Sequence, residues 1–148
     1  MEIKGELNGV TVIDDYGHHP TEVKTTLQAL KECWPNRRKV VVFQPHRFTR
    51  TQALFAEFTR AFYQSDVLLV MPIYAASETP IPGIEAEKLV EAIRAHGHKQ
   101  VHYCPDKGSA VTYLADMLAA GDVVLTLGAG DVHKIGPRLL ERLAEATE

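Results

Sequence analysis

Short, wholly apolar runs of strand length, separated by stretches with helical spacing, constrain this chain more than any other feature. Val10-Thr11-Val12-Ile13, Val40-Val41-Val42-Phe43, Val67-Leu68-Leu69-Val70 and Val123-Val124-Leu125-Thr126-Leu127 are rich in β-branched residues and mostly lack alternating polar positions. A strand with one wet face alternates, whereas a strand covered on both faces reads as apolar throughout. Gln100-Val101-His102-Tyr103 is a weaker fifth run. Between the runs, Val23, Leu27 and Leu30 recur at helical steps after Pro20, whose fixed φ suits a first helical turn. Leu54, Phe55, Phe58 and Phe62 form a second apolar face, with Thr49-Arg50-Thr51-Gln52 as the capping box opening that helix. Leu89, Val90 and Ile93 mark a third helix. Val111, Leu114 and Leu118, entered through Asp106, mark a fourth, and Ile135, Leu139, Leu140 and Leu143 the last.

Strand then helix, five times over, predicts an α/β fold: a Rossmann-like open sheet, mostly parallel, with helices on both faces. Glu2 to Leu7, Asn8-Gly9 and Val10 to Asp14 add a hairpin, because Asn-Gly supplies the positive φ angles of a type I′ turn. About six strands are therefore expected, one of them an antiparallel N-terminal strand. No repeat or low-complexity tract interrupts the pattern, so residues 1–148 are expected to form one domain. With 45% hydrophobic and 24% charged residues, disorder is excluded. A net charge of -3 without a basic patch argues against a nucleic-acid partner. No apolar run reaches the roughly 18 residues of a membrane span, and Met1-Glu2-Ile3-Lys4 has no signal-peptide character. Cys33 and Cys104 stand far apart without metal-ligand spacing, which predicts two reduced, partly buried thiols in a cytoplasmic protein and no metal site.

In an open α/β sheet, ligands bind beyond the carboxyl ends of the strands. Asp14-Asp15-Tyr16-Gly17-His18-His19-Pro20 follows the first parallel strand, and Gln44-Pro45-His46-Arg47-Phe48-Thr49-Arg50 follows the second. Three of the seven histidines fall in these two loops. Two carboxylates and two imidazoles within six residues resist burial, so they are solvated, cap the next helix or meet a ligand. A strand-end carboxylate can hold a ribose diol, and an imidazole beside it a phosphate oxygen. In the second loop, two guanidinium groups three residues apart flank the expected N-cap, Thr49. Cations weaken a helix start, so arginines there suggest a bidentate clamp for carboxylate or phosphate rather than a structural choice. Surface pairing of these arginines with Asp or Glu is the alternative. Gly128-Ala129-Gly130 lacks the third glycine of a dinucleotide fingerprint, since His133 stands there, and reads as a tight turn with Asp131 as cap. The loop from Pro72 to Glu85, with Tyr74 and Ser77, has the composition of a lid. Trp34-Pro35 ends the first helix, and His96, His98 and His102 read as surface or sheet-edge residues.

The chain has no P-loop, no Gly-x-Ser-x-Gly elbow and no cysteine beside a histidine. A receiver domain of the response-regulator type would need an aspartate after the third parallel strand, where Met71-Pro72 stands. The polar loops instead fit part of an enzyme, or a non-catalytic anion- or nucleotide-binding regulatory module.

The run Asp14 to Glu22, the run Phe43 to Arg50, Tyr74-Ala75-Ala76-Ser77-Glu78 with Pro80-Ile81-Pro82-Gly83, and Gly128-Ala129-Gly130-Asp131 together resemble one family. It is the C-terminal domain of the UDP-N-acetylmuramate–L-alanine ligases, a branch of the Mur ligases, and the resemblance covers essentially the whole chain. It implies ATP-dependent addition of L-alanine to UDP-N-acetylmuramate in peptidoglycan synthesis, through an acyl phosphate and a tetrahedral intermediate. It places Asp15 at the ATP ribose and His18 toward the phosphates, with His46, Arg47 and Arg50 holding the amino acid. Tyr16, His19 and Tyr74 are further candidates. Mg²⁺ and most of the ATP contacts would belong to a central ATPase domain, and the UDP-sugar to an N-terminal one, neither of them in these 148 residues. No catalytic residue is therefore expected in this domain by itself, and no turnover from it alone.

Overall fold

A computed structural model describes residues 1–146. One six-stranded sheet runs through it, from β1 (Glu2–Leu7) and β2 (Val10–Asp15) to β3 (Lys39–Phe43), β4 (Val67–Val70), β5 (Val101–Tyr103) and β6 (Val123–Leu127), in the spatial order β1-β2-β6-β3-β4-β5. Only β1 is antiparallel, paired with β2 through the Asn8-Gly9 turn, where both residues have the positive φ expected of them (54° and 79°). The other pairings are parallel. The mostly parallel sheet with one antiparallel N-terminal strand is thus as the sequence predicts.

Strand side chains alternate between two buried layers, which is why the runs are apolar at nearly every position. Val41, Phe43, Leu68 and Val70 point to one face, under α1 (Pro20–Cys33) and α4 (Ala86–Ala95). Val40, Val42, Leu69 and Val124 point to the other, under α5 (Lys107–Met117) and α6 (Ile135–Glu145). Asp106 caps α5 as expected, accepting from the Ser109 N–H at 2.7 Å. Trp34 ends α1, its N–H donating to the Leu30 carbonyl at 2.9 Å.

The chain leaving β2 or β3 turns onto the α1 and α4 face, while the chain leaving β6, which lies between them, turns onto the α5 and α6 face. Neighbouring strands that send their chains to opposite faces leave a crevice at their carboxyl ends. That crevice is where the two polar loops meet.

Several local expectations are corrected. The predicted second helix is two short ones, α2 (Phe48–Ala53) and α3 (Phe55–Phe58), broken at Leu54. Thr49 is not its N-cap; Arg47 holds that position, at φ 74°. Phe58 and Phe62 still reach the core, and Leu54 and Phe55 pack against its edge. Cys33 is exposed rather than partly buried, because it falls on the outer side of α1; Cys104 is buried, which pushes its thiol up to about 11. His98 is buried, bonded to Ser65. Gln100 lies outside β5. No helix among the described residues is long and apolar enough to cross a membrane.

Candidate functional site

Four strand-end loops build the mouth, and the backbone joins two of them directly. After β3 the chain runs beside the loop after β4: His46 and Tyr74 form a parallel bridge, the Tyr74 N–H donates to the Pro45 carbonyl at 2.8 Å and the Arg47 N–H to the Tyr74 carbonyl at 2.7 Å. The Tyr74 ring stacks on His46, centroids 5.6 Å apart and planes 16° from parallel. It also lies over the β6 loop, where a Cβ on Gly130 would come 2.6 Å from its ring, so only glycine fits. On the β2 side, the His18 ring stands 5.7 Å from that of His46. Residues from the first two polar loops therefore converge, as the sequence predicts.

Arg47 and Arg50 hold no carboxylate partner among the described residues, so the surface-pairing alternative is not what the fold uses. Arg50 turns back on its own loop, its Nη1 3.0 Å from both the carbonyl oxygen and the Nδ1 of His46. Arg47 is exposed, in a backbone region that side chains rarely adopt. What lets an arginine occupy a helix N-cap is a residue that sequence reasoning left without a role. Glu78, from the β4–α4 loop, accepts the N–H groups of Phe48 (2.6 Å) and Thr49 (3.2 Å) and the Thr49 hydroxyl (2.5 Å). Its carboxylate supplies the cap that α2 lacks in its own sequence. The Thr49 hydroxyl and those amides hold the Glu78 carboxyl below the usual range. An N-cap position filled by arginine requires an acceptor from elsewhere, but with Thr49 expected at the cap the sequence did not point to Glu78.

Electrostatics at the mouth disfavour a second proton on His46. Burial first, then the charges of Arg50, His18 and Arg47, hold its imidazole below the usual range against the opposing pull of Glu78. Below it, Gln44 spans the crevice, donating to Asp131 Oδ1 at 2.7 Å and accepting the Val132 N–H at 3.2 Å. Asp131 stands at the N-cap of the short turn 132–134, as expected, but its side chain does not cap it; its second oxygen takes the Lys107 ammonium at 2.8 Å. Burial works against ionisation of Asp131, but Lys107 and then Gln44 outweigh it and hold the carboxyl low. Gln44, Tyr74, Lys107 and Asp131 line a cleft of about 280 Å³ beside the histidines.

Among the β2-loop residues the outcomes differ. Asp14 is buried rather than solvated or ligand-facing, because the Thr126 hydroxyl donates to it at 2.6 Å across the sheet. Asp15 accepts the Gly17 N–H at 2.8 Å and pairs with the Met1 ammonium at 3.1 Å. His19 caps α1, accepting the Thr21 N–H at 3.2 Å in a capping box with Glu22. Tyr16 is 71% exposed and gives its carbonyl to His18. No cluster of three or more His, Cys, Asp or Glu suited to a metal occurs among the described residues.

The sequence pattern of the family described as "Mur ligase, glutamate ligase domain" matches residues 1–130. The chain belongs to this family. The UDP-N-acetylmuramate–L-alanine ligase of Desulforapulum autotrophicum is 65% identical over 144 residues, 97% of this chain and 32% of that protein. That of Desulfosudis oleivorans is 60% identical over 140 residues, 95% of this chain and 31% of that protein. The crystal structure of UDP-N-acetylmuramate-alanine ligase from Thermotoga maritima matches with a TM-score of 0.78 at 26% identity, covering 99% of this chain and 30% of that one. This Mur ligase domain thus spans about a third of the length of the relatives it matches.

Proposed function

We propose that residues 1–148 form a single domain, the C-terminal, amino-acid-receiving part of an ATP-dependent ligase that joins L-alanine to UDP-N-acetylmuramate in the cytoplasm, for peptidoglycan synthesis. The observation that carries this reading is a pair of guanidinium groups at the mouth that form no ion pair with a carboxylate among the described residues. A small zwitterion fits that charge pattern: its carboxylate meets Arg47 and Arg50, with the Nε2–H of His46 as a neutral donor beside them. Tyr74 closes one side by stacking on His46. Asp15 and His18, at the end of β2, are assigned to the ribose and phosphate side of ATP, with Tyr16 at the rim and His19 positioning that loop through its cap. Asp15 accepts the Gly17 N–H through one carboxylate oxygen, which fixes the turn that carries it.

The division of labour follows from what these residues are. Phosphoryl transfer from ATP is assigned to a central ATPase domain, where Mg²⁺ would neutralise the phosphates. The present domain orients the amine toward an acyl phosphate and, on closing, excludes water that would hydrolyse it. Alone it is expected to release no phosphate from ATP with L-alanine present.

Titration of the ¹⁵N-labelled chain with L-alanine tests the assignment. Shifts are expected at Arg47, Arg50, His46 and His18, and shifts confined elsewhere would remove it. Inorganic phosphate serves as the control: binding it as well as the amino acid would favour the regulatory anion-binding module instead.

A further inference from the structure

An amino acid arrives as a zwitterion, and its ammonium has no lone pair with which to attack. One proton must leave first, so the site needs an acceptor near the carboxylate clamp. The two histidines at the mouth differ in whether they can be that acceptor. His18 Nδ1 lies 3.0 Å from the Tyr16 carbonyl oxygen, which can only accept, so Nδ1 carries the hydrogen. Neutral His18 therefore has its lone pair on Nε2. His46 Nδ1 lies 3.0 Å from Arg50 Nη1, which can only donate, so there the lone pair is on Nδ1 and the hydrogen on Nε2. Neither Nε2 has a protein partner among the described residues, and the rings are 5.7 Å apart. The mouth thus carries one imidazole as acceptor and one as donor, in opposite tautomers.

A second proton has different consequences at each. On His46 it would displace Arg50 and add a charge beside Arg47 and Arg50, opposed only by Glu78. On His18 it breaks no bond, and the Glu22 carboxylate of α1 lies 3.9 Å from the ring, with His46 as the facing group from the β3 loop. We propose that Nε2 of His18 takes the proton from the ammonium of the incoming amino acid. The N–H electron pair stays on nitrogen as the amine lone pair, and His18 becomes the imidazolium. The amine then bonds to the acyl carbon, and the carbon–oxygen bond to phosphate breaks with its electrons leaving on oxygen; the departing phosphate takes the second proton that nitrogen must shed to become an amide, and the imidazolium releases its own proton to water. This role rests on the ligase reading above and gives His18 a catalytic part in addition to its place near the phosphates.

Two measurements test it. Nitrogen-15 NMR of the chain at pH 8 is expected to show His18 protonated at Nδ1 and His46 at Nε2; the reverse tautomer at His18 overturns the proposal. For the reaction, residues 1–148 replace the matching third of the full-length relative that is 65% identical. His18→Asn keeps a donor for the Tyr16 carbonyl but removes the basic nitrogen. It is expected to lower kcat about 100-fold or more. The remaining rate should climb about tenfold per pH unit with the fraction of free amine, and added imidazole should restore part of it. Full activity in the variant, or a loss that neither pH nor imidazole recovers, overturns the proposal. A folded, unsubstituted chimera that makes no amide would instead sink the ligase reading, leaving the tautomer measurement to judge the histidine pair.

Discussion

Arginines stand at both ends of this sheet, and their surroundings are opposite. At the amino ends of the strands, Arg37 donates to the carbonyls of Gly121 (2.6 Å), Gly9 (2.9 Å) and Asp122 (3.2 Å) and to the Thr11 hydroxyl (3.0 Å). Arg38 forms a two-pronged pair with Asp122, at 3.1 and 2.5 Å, and Lys39 donates to the Trp34 carbonyl. A depression of about 610 Å³ lies there, larger than the cleft at the mouth, but Arg37, Arg38 and Lys39 on its wall are already engaged. At the carboxyl ends, among the described residues, the Arg47 side chain makes no hydrogen bond or ion pair and that of Arg50 bonds only to His46. The same side chain is a fastener where several acceptors surround it, and is left available, as the proposed function requires, where they do not.

The largest expected effect tests the fastening end. Asp122 is buried and serves both Arg38 and the Ala119 N–H (2.9 Å). Asp122→Ala should lower unfolding stability by about 2–3 kcal/mol, below the range for fully buried pairs because Arg38 is partly solvated. A change in the urea midpoint equivalent to less than ~0.5 kcal/mol would break the contrast.

Acid should then weaken the fold through His98. Gln100 N–H donates to its Nδ1 at 3.3 Å, so the hydrogen lies on Nε2, facing the Ser65 oxygens at 2.9 and 3.0 Å. Burial holds its imidazole below the usual range, against the pull of Ser65 and Asp66. The unfolded chain, titrating near pH ~6.5, therefore binds the proton first. Stability should be complete above that pH and fall as pH drops toward the folded value, by at most about 1.4 kcal/mol per unit for this histidine. Equal midpoints at pH 7.5 and 5.5 would contradict this. His46 titrates in the same direction, but a carboxylate bound at the mouth should raise its pKa and leave His98 unmoved.

Arg47→Gly sharpens the comparison from the other side. Relieving its positive φ should stabilise the chain by roughly 1 kcal/mol, while L-alanine binding is lost. A destabilised variant would mean that Arg47 is a fastener after all. The smallest effect is local: Glu78→Ala should speed hydrogen exchange at Phe48 and Thr49 while the global unfolding midpoint barely moves. Unchanged exchange at those two amides would show that α2 needs no borrowed cap.

Long apolar runs and helical steps made most elements legible, since a strand buried on both faces admits almost no polar residue. The break at Leu54 was not, because Leu54, Phe55, Phe58 and Phe62 satisfy helical periodicity whether or not the backbone between them is continuous. His98 and Asp14 were misjudged for one reason. A polar residue tolerates burial when a partner distant in sequence satisfies it, as Ser65 and Thr126 do.

From the sequence alone came the sheet, its antiparallel first strand, the loops that carry the chemistry and the arginine pair within one of them. These depend on neighbours along the chain, where spacing and residue type act directly. The tertiary structure decided which charges remain free. Glu78 reaching across to cap α2, Gln44 joining the β3 and β6 loops, and the opposite tautomers of His18 and His46 all come from groups brought together by strand order. Hydrogen bonding is settled by distance and direction in space, and a linear pattern carries neither.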